Sequence, residues 1–353
     1  MQISKIFTVL IVLILSSVYT FSQGDTIIQA KILDDGSQDA EKFYNAGTEF
    51  LRANSFQSAI AEFDKAIGLK PQFDAAFFNR ATAKNELNDR AGAIADLSSA
   101  LTIAPKAEYA FMRGQTKLLL NDVPGAIEDF TTTITLDAQY AQAYYQRGVL
   151  KFENGEYASA ISDFTEAIKH DGTLAYAYND RGSAKRESGD LDGAIADYQS
   201  ALKIKPDMPF TLNSLASAKR KKGDFKGAIL DYTQAIKLKG DYYIAYNNRG
   251  SAKLDAGDYN GAIDDFTKAL QLNPKYAYAY NNRAAAKYKL RDYQGSESDC
   301  TKAIELDPKN GFSYLNRGIA RELLRNESGA CEDWRKAVEL GVDSARNYLG
   351  DCQ

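Results

Sequence analysis

Histidine, tryptophan and cysteine are almost missing from this 353-residue chain, which has one, one and three of them. So few cysteines and histidines exclude a disulfide framework and any Cys/His metal pattern. No glycine-rich phosphate loop, paired-cysteine motif or nucleophile elbow occurs. No residue set could carry chemistry, so an enzyme is not expected and no cofactor or metal is implied. Charge of one sign is missing too: 43 basic residues stand against 47 acidic ones, a formal net charge of −4. A slightly acidic chain with scattered lysines is a poor match for nucleic acid. Proline is scarce, and each of the seven stands where a helix would begin or end. Long apolar runs are confined to the first residues.

Met1 to Gln23 carries one charge, Lys5, and then the apolar run Ile6 to Phe21. Thr20 and Ser22 are small residues suited to a cleavage site. Residues 1–22 therefore read as a secretory signal peptide cut after Ser22. The alternative is an uncleaved anchor, although a spanning helix wants ~20 apolar residues. No cysteine follows the run, which speaks against a lipid anchor. Export would place the mature chain in the periplasm or outside the cell, with no stable membrane insertion after cleavage. Residues 23–39 form a polar, acidic lead-in without helical periodicity.

The rest of the chain is repetition. Ala160, Ala194, Ala228 and Ala262 recur at 34-residue steps, Ala59 to Ala93 is the same step, and Ser296 and Ala330 continue it. A fixed period of this size means a repeat array, placed here at residues 40–342 in nine copies. The copy from Tyr243 to Tyr276 shows the design. Tyr246, Gly250, Lys253 and Leu254 share one face of a first helix. Ala262, Ile263, Phe266, Ala269 and Leu270 share one face of a second. Gly257 stands between them, where a helix ends in a left-handed residue. Asn54, Asn88, Asn121, Gly155, Gly189 and Gly223 stand at the same place in other copies. Arg291 and Arg325 depart from this rule, so the last two turns are expected to be built differently. Residues 343–353 would form a short helix capping the ninth copy.

Small residues such as Gly250 and Ala284 recur in mid first helix, and an aromatic plug such as Phe63, Phe266 or Trp334 recurs in the second. Residues this small let two helix axes approach closely. A 34-residue helix pair with an early aromatic, mid-helix Gly or Ala, then Ala, Phe and a closing Pro resembles the tetratricopeptide repeat, over residues 40 to 344. The resemblance implies an all-α, superhelical α-α solenoid of nine helix pairs, with a concave groove lined by first helices. It also implies a non-catalytic scaffold that holds extended peptides or partner proteins. Two alternatives stand beside it: a structural part of an envelope or secretion assembly docked by its outer surface, and a glycan-binding repeat protein. The family's chaperone-binding members grip a terminal carboxylate with lysines. Tyr44, Thr48 and Asn79 stand at the matching positions here, so that ligand is not supported.

One departure from the family is consistent. Arg80, Arg113, Arg147, Arg181, Arg249, Arg283 and Arg317 recur, each with an acid such as Asp96 or Asp265 in the following helix. Because the two recur together, the pattern reads as a ladder of bidentate pairs between helices. The alternative is a charged binding stripe. Leu215 leaves Asp231 without its arginine and should make the sixth pair a weak joint.

Candidate ligand contacts lie on the first helices. Asn179, Asn247, Asn248, Asn281, Asn282 and Asn316 should face the groove, with Tyr278 and Phe312 beside them. Asparagine both donates and accepts, which suits the main chain of an extended peptide. The competing reading is solvated repeat filler. Removing Asn248, Asn282 and Asn316 together is expected to leave the melting temperature nearly unchanged. In the first half, Tyr44, Phe78, Phe111, Met112 and Tyr145 suggest a more apolar groove. His170 replaces an aliphatic residue of other copies and reads as a packing variant. Cys300 replaces the plug beside Glu297, suggesting a looser joint. Cys331 and Cys352 lie at similar distances from the turn near Gly341, which suggests a disulfide.

Overall fold

The computed structural model describes residues 38–350 and Cys352. The signal-peptide and lead-in readings fall almost wholly outside them. Two residues of the lead-in, Gln38 and Asp39, instead open the first helix. Among the described residues there are eighteen α-helices and no strand. None of these helices is long and apolar enough to cross a membrane. The chain divides into two compact units, one ending at Asp171 and one starting at Gly172.

The first unit is four helix pairs: α1 (Gln38–Arg52) with α2 (Phe56–Leu69), α3 (Asp74–Glu86) with α4 (Arg90–Ile103), α5 (Ala107–Leu119) with α6 (Val123–Leu136), and α7 (Ala141–Glu153) with α8 (Tyr157–His170). The second unit is five: α9 (Ala175–Glu187) with α10 (Leu191–Ile204), α11 (Pro209–Lys221) with α12 (Phe225–Leu238), α13 (Tyr243–Asp255) with α14 (Tyr259–Leu272), α15 (Ala277–Lys289) with α16 (Tyr293–Leu306), and α17 (Gly311–Leu323) with α18 (Glu327–Glu339). A 3-10 turn, Asp343–Tyr348, follows where a short capping helix was expected.

Local chemistry starts and stops these helices. Most second helices begin with an aspartate whose side chain accepts a bond from a glycine N–H three residues on, as in Asp258 and Gly261 at 2.9 Å. A Cβ on that glycine would collide with the carboxylate. The Asp-x-x-Gly spacing is therefore a cap. The turns between paired helices hold a left-handed residue throughout, including Arg291 and Arg325, both at φ 64. The expectation that the last two turns differ is thus corrected. The backbone explains why: Asp292 N–H bonds to Lys287 O at 3.0 Å, as Asp258 N–H bonds to Lys253 O at 2.9 Å. The same closing bond forms whichever side chain is present.

The core lies between paired helices. A Cβ on Gly47 would sit 2.7 Å from the Phe63 ring, and one on Gly250 would sit 2.8 Å from Phe266. Where the plug is Leu97 or Cys300, alanine replaces the glycine at Ala81 and Ala284. In these two pairs the smaller plug and the added methyl offset each other, whereas Ala216 faces the larger Tyr232 ring.

The arginines form the expected ladder. Arg249 Nε and Nη2 donate to Asp265 at 2.8 and 2.6 Å, a bidentate pair. Its third nitrogen reaches Thr233 of the preceding pair at 3.0 Å. The Tyr246 ring covers the guanidinium at 5.5 Å. Lys253 adds a second cation to Asp265 at 2.9 Å. The two-cation grip recurs around Asp96, Asp129, Asp163, Asp197, Asp299 and Asp333, with Arg321 in place of the lysine at the last. With its donors engaged inside the protein, this row is structural.

One further expectation needs adjusting. Glu297 meets Arg321 at 2.9 Å, and Arg321 also holds Asp333 at 2.9 Å. The eighth and ninth pairs are therefore bridged by charge where a looser joint was expected. Cys300 is fully buried, and burial pushes its thiol up to about 12, so it is not a reactive group. His170 is stacked on Tyr144, with ring centroids 5.8 Å apart, in keeping with a packing role.

Candidate functional site

The candidate amides all lie in the second unit, and the structure joins most of them to one another. Asn282 donates to Asn247 Oδ1 at 3.0 Å, Asn247 to Asn248 Oδ1 at 3.2 Å, and Asn248 to Asn213 Oδ1 at 3.0 Å. Asn316 donates to Asn281 Oδ1 at 3.0 Å. Asn179 donates to Asp180 at 2.8 Å and accepts from Thr211 at 2.8 Å. Four of these six bonds cross from one first helix to the next, and the Asn247–Asn248 and Asn179–Asp180 bonds join neighbours within a helix.

Each crossing asparagine and its acceptor are 35 residues apart. That is one period plus one residue, so the sixth residue of a first helix reaches the fifth of the preceding one. The sequence reading left out Asn213, Thr211 and Ser251, which belong to the same network. The 35-residue offset was the available signal. The amides are therefore partly committed to holding helices together, and their removal should not leave stability unchanged, contrary to expectation. Capacity remains. An asparagine side chain has two N–H hydrogens and two lone pairs, and one ladder bond uses only one of each.

Tyr278 and Phe312 are the second residues of α15 and α17, and they are 53% and 59% exposed. Tyr176 of α9 and Phe210 of α11 occupy the same place and are also exposed. Lys205 lies 5.1 Å over the Tyr176 ring and 3.1 Å from its hydroxyl. Lys239 lies 4.9 Å over Phe210. Rings thus recur once per helix pair, with the seventh copy carrying Ile244 instead.

The first unit differs. Glu41, Ala75, Glu108 and Gln142 stand where the second unit has its rings. Tyr44, Phe78, Phe111 and Met112, expected to line an apolar groove, are buried in the core, the first three in their own helix pairs and Met112 against the preceding pair. Asn79 is buried as well and donates to the Tyr44 hydroxyl at 3.0 Å. These side chains reach the neighbouring helices and are covered by them, and Asn79 is covered along with them. The apolar first-half groove is therefore corrected to core for these four residues, while Tyr145 stays half-buried.

Cys331 and Cys352 are joined by a disulfide, with Cα atoms 5.6 Å apart and a sequence separation of 21. Among the described residues no group of His, Cys, Asp or Glu is placed to hold a metal ion.

Comparison with known proteins agrees with the helix pairs. The tetratricopeptide repeat family matches residues 44–108, 111–173, 145–209, 211–242, 243–276 and 277–310. The "DnaJ homolog subfamily C member 7 homolog" of Dictyostelium discoideum is 29% identical over 98 residues, 26% of this chain and 18% of that protein. The match thus spans under a fifth of that relative. A tetratricopeptide repeat protein from Parabacteroides merdae has a TM-score of 0.57 at 16% identity, covering 69% of this chain and 97% of that one. The pilF protein of Pseudomonas aeruginosa has a TM-score of 0.53 at 18% identity, covering 60% and 97%. At those identities the likeness is one of fold. With the family matched along most of its length and with the family's small-residue and aromatic positions paired across its helices, this chain belongs to the tetratricopeptide repeat family, whose fold typically serves as a non-catalytic scaffold for protein–protein interaction.

Proposed function

We propose that the second unit holds an extended peptide segment of a partner protein along its first helices, and that it does so outside the cytoplasm. One observation carries this reading. Tyr176, Phe210, Tyr278 and Phe312 are large rings left exposed at the same place in four of five helix pairs. Phe210 and Tyr278 touch Tyr242 and Tyr276 on one side, and lysines lie over Tyr176 and Phe210, yet every ring of the row keeps over a third of its surface in water, and a recurring row of such rings marks a contact surface. The amide row supplies donors and acceptors for main chain, whatever the ligand's side chains. The rings then favour apolar side chains, at low entropic cost because each has two rotatable bonds. Specificity is broad, affinity is modest, and salt has little effect because few charges take part.

The location rests on Lys5, the apolar run Ile6 to Phe21 and Ser22, which together have the form of a secretory signal. The Cys331–Cys352 bond is in keeping with an oxidising compartment.

The test uses the exposed rings, because changing them spares the ladder. The double variant Tyr278→Ser/Phe312→Ser should keep its helical content and melting temperature. It should lose binding to immobilised ten-residue peptides with apolar residues at intervals. Binding equal to that of the parent protein would rule out this face. A cell-fractionation blot finding the chain in the cytoplasm with residue 1 intact would rule out the location.

A further inference from the structure

The end of the chain copies the start of a first helix. Ahead of α13, Tyr242 is the buried capping residue, and Ala245 N–H bonds back to its carbonyl at 2.9 Å. Ahead of α15, Tyr276 and Ala279 repeat that bond at 3.0 Å. Beyond α18, Val342 is the buried capping residue, and Ala345 N–H bonds to its carbonyl at 3.0 Å. Ala245, Ala279 and Ala345 are all fully buried. Gly311 makes room for this copy, since a Cβ there would lie 2.6 Å from Val342 Cγ2.

The register holds to the last residues. Ala252 stands ten places after Tyr242, Ala286 ten after Tyr276, and Cys352 ten after Val342. In complete pairs that alanine shares a core cluster with the isoleucine of the preceding Gly-Ala-Ile triplet: Ala252 with Ile229, and Ala286 with Ile263. At the end of the array the triplet reads Gly329, Ala330, Cys331. The Cys331–Cys352 bond therefore stands where an Ile–Ala packing contact joins several earlier second helices to their successors.

We infer that residues 342–352, a short stump of irregular backbone, follow the register of a tenth first helix, and that the Cys331–Cys352 disulfide is a redox latch holding this stump against the ninth pair. A complete first helix has thirteen residues of regular backbone, as in α13 and α15. The stump has a six-residue 3-10 turn, too short to hold itself without tertiary support. Neither cysteine of the pair is fully buried, whereas Cys300 is. A small dithiol therefore reaches the latch and not Cys300. It gives two electrons and two protons to the bond, leaving two protein thiols and closing its own disulfide. The stump then leaves, and the face of α18 around Trp334, now stacked on Tyr348 at 5.1 Å, is bared.

The experiment uses the full chain with and without dithiothreitol. Hydrogen exchange is read at the amides of Ala345 and Leu349, both bonded within the stump. Reduction should speed their exchange by about 100-fold, the stabilisation expected of a cross-link closing a loop of about 20 residues. Exchange in α13 should not change. Acrylamide quenching of Trp334, the one tryptophan of the chain, should rise with it. Cys352→Ser without reductant should behave as the reduced parent does. Iodoacetamide should modify two cysteines of the reduced protein and leave Cys300 untouched. Unchanged exchange at Ala345 on reduction would overturn the latch. So would equal loss of protection in α13, or a non-reducing peptide map lacking the Cys331–Cys352 peptide.

Discussion

Lys219 holds Asp231 at 2.6 Å with no arginine beside it, because Leu215 occupies the ladder position. Leu215 is buried against Ala194, Tyr198 and Ala218. Asp231 Oδ2 is close to the ammonium but off the line of a hydrogen bond. Burial, outweighing Lys219, holds this carboxyl above its ordinary range. Its folded pKa therefore exceeds its unfolded one. The group favours folding below the ordinary carboxylate range, and that contribution is lost as pH rises through the folded value. Asp231→Asn should raise the melting temperature slightly at pH 7, by under about 1 kcal/mol for a partly exposed group. The gain should shrink towards pH 3. Thermal melts across that range check it, and a variant less stable at pH 7 than at pH 3, relative to the parent, would refute it.

Arg249→Leu reproduces at the seventh pair what Leu215 does at the sixth. Asp265 is more deeply covered than Asp231, with side-chain exposures of 5% and 19%. It would keep only Lys253. Removing one partner of a buried pair should cost about 3 kcal/mol. Urea unfolding measures it, and a loss below that of a surface substitution would show the ladder to be decorative.

Arg291 and Arg325 hold left-handed backbone that glycine adopts without a Cβ penalty. Arg291→Gly and Arg325→Gly should each stabilise the protein by about 0.5–1 kcal/mol, the strain relieved less the extra entropy of an unfolded glycine. Differential scanning calorimetry should show a small upward shift. A downward shift would mean that these arginines make contacts worth more than the strain.

Asn282→Ala removes the bonds to Asn247 and Ser251, at 3.0 and 3.4 Å. With Asn247 buried, the loss should be about 1–2 kcal/mol. Tyr278→Ser, at an exposed ring, should cost far less. The opposite order of stabilities would place the rings, not the amides, among the structural residues.

Gly250→Ala puts a methyl group 2.8 Å from the Phe266 ring. Overpacking of this kind should cost about 1–3 kcal/mol. The pair Gly250→Ala/Phe266→Leu copies the natural Ala81 and Leu97 and should recover part of that loss.

The helix pairs, the small-residue contacts and the arginine ladder were legible in the sequence. Each rests on residues close along the chain, or on one spacing repeated many times. The 16-residue offset of Arg249 and Asp265 recurs from pair to pair, so repetition makes even a contact between helices visible. Some local signals were present and unread, such as the Asp-x-x-Gly cap.

Other features required the assembled chain. Nothing about Tyr44 or Phe111 as residue types says whether a neighbouring helix covers them, yet that decides core against groove. Asn282 meets Asn247 only because successive first helices lie side by side at a particular stagger. Arg291 takes a left-handed turn because closing backbone bonds outweigh its own preference. Cys352 becomes a latch because residues 342–352 fall into the register of a first helix. Spacing and chemistry thus determined which helices form and pair, since those follow from short-range periodicity. Exposure, amide partners and the placing of the latch were decided by packing between neighbouring pairs, where side-chain size and stagger act together.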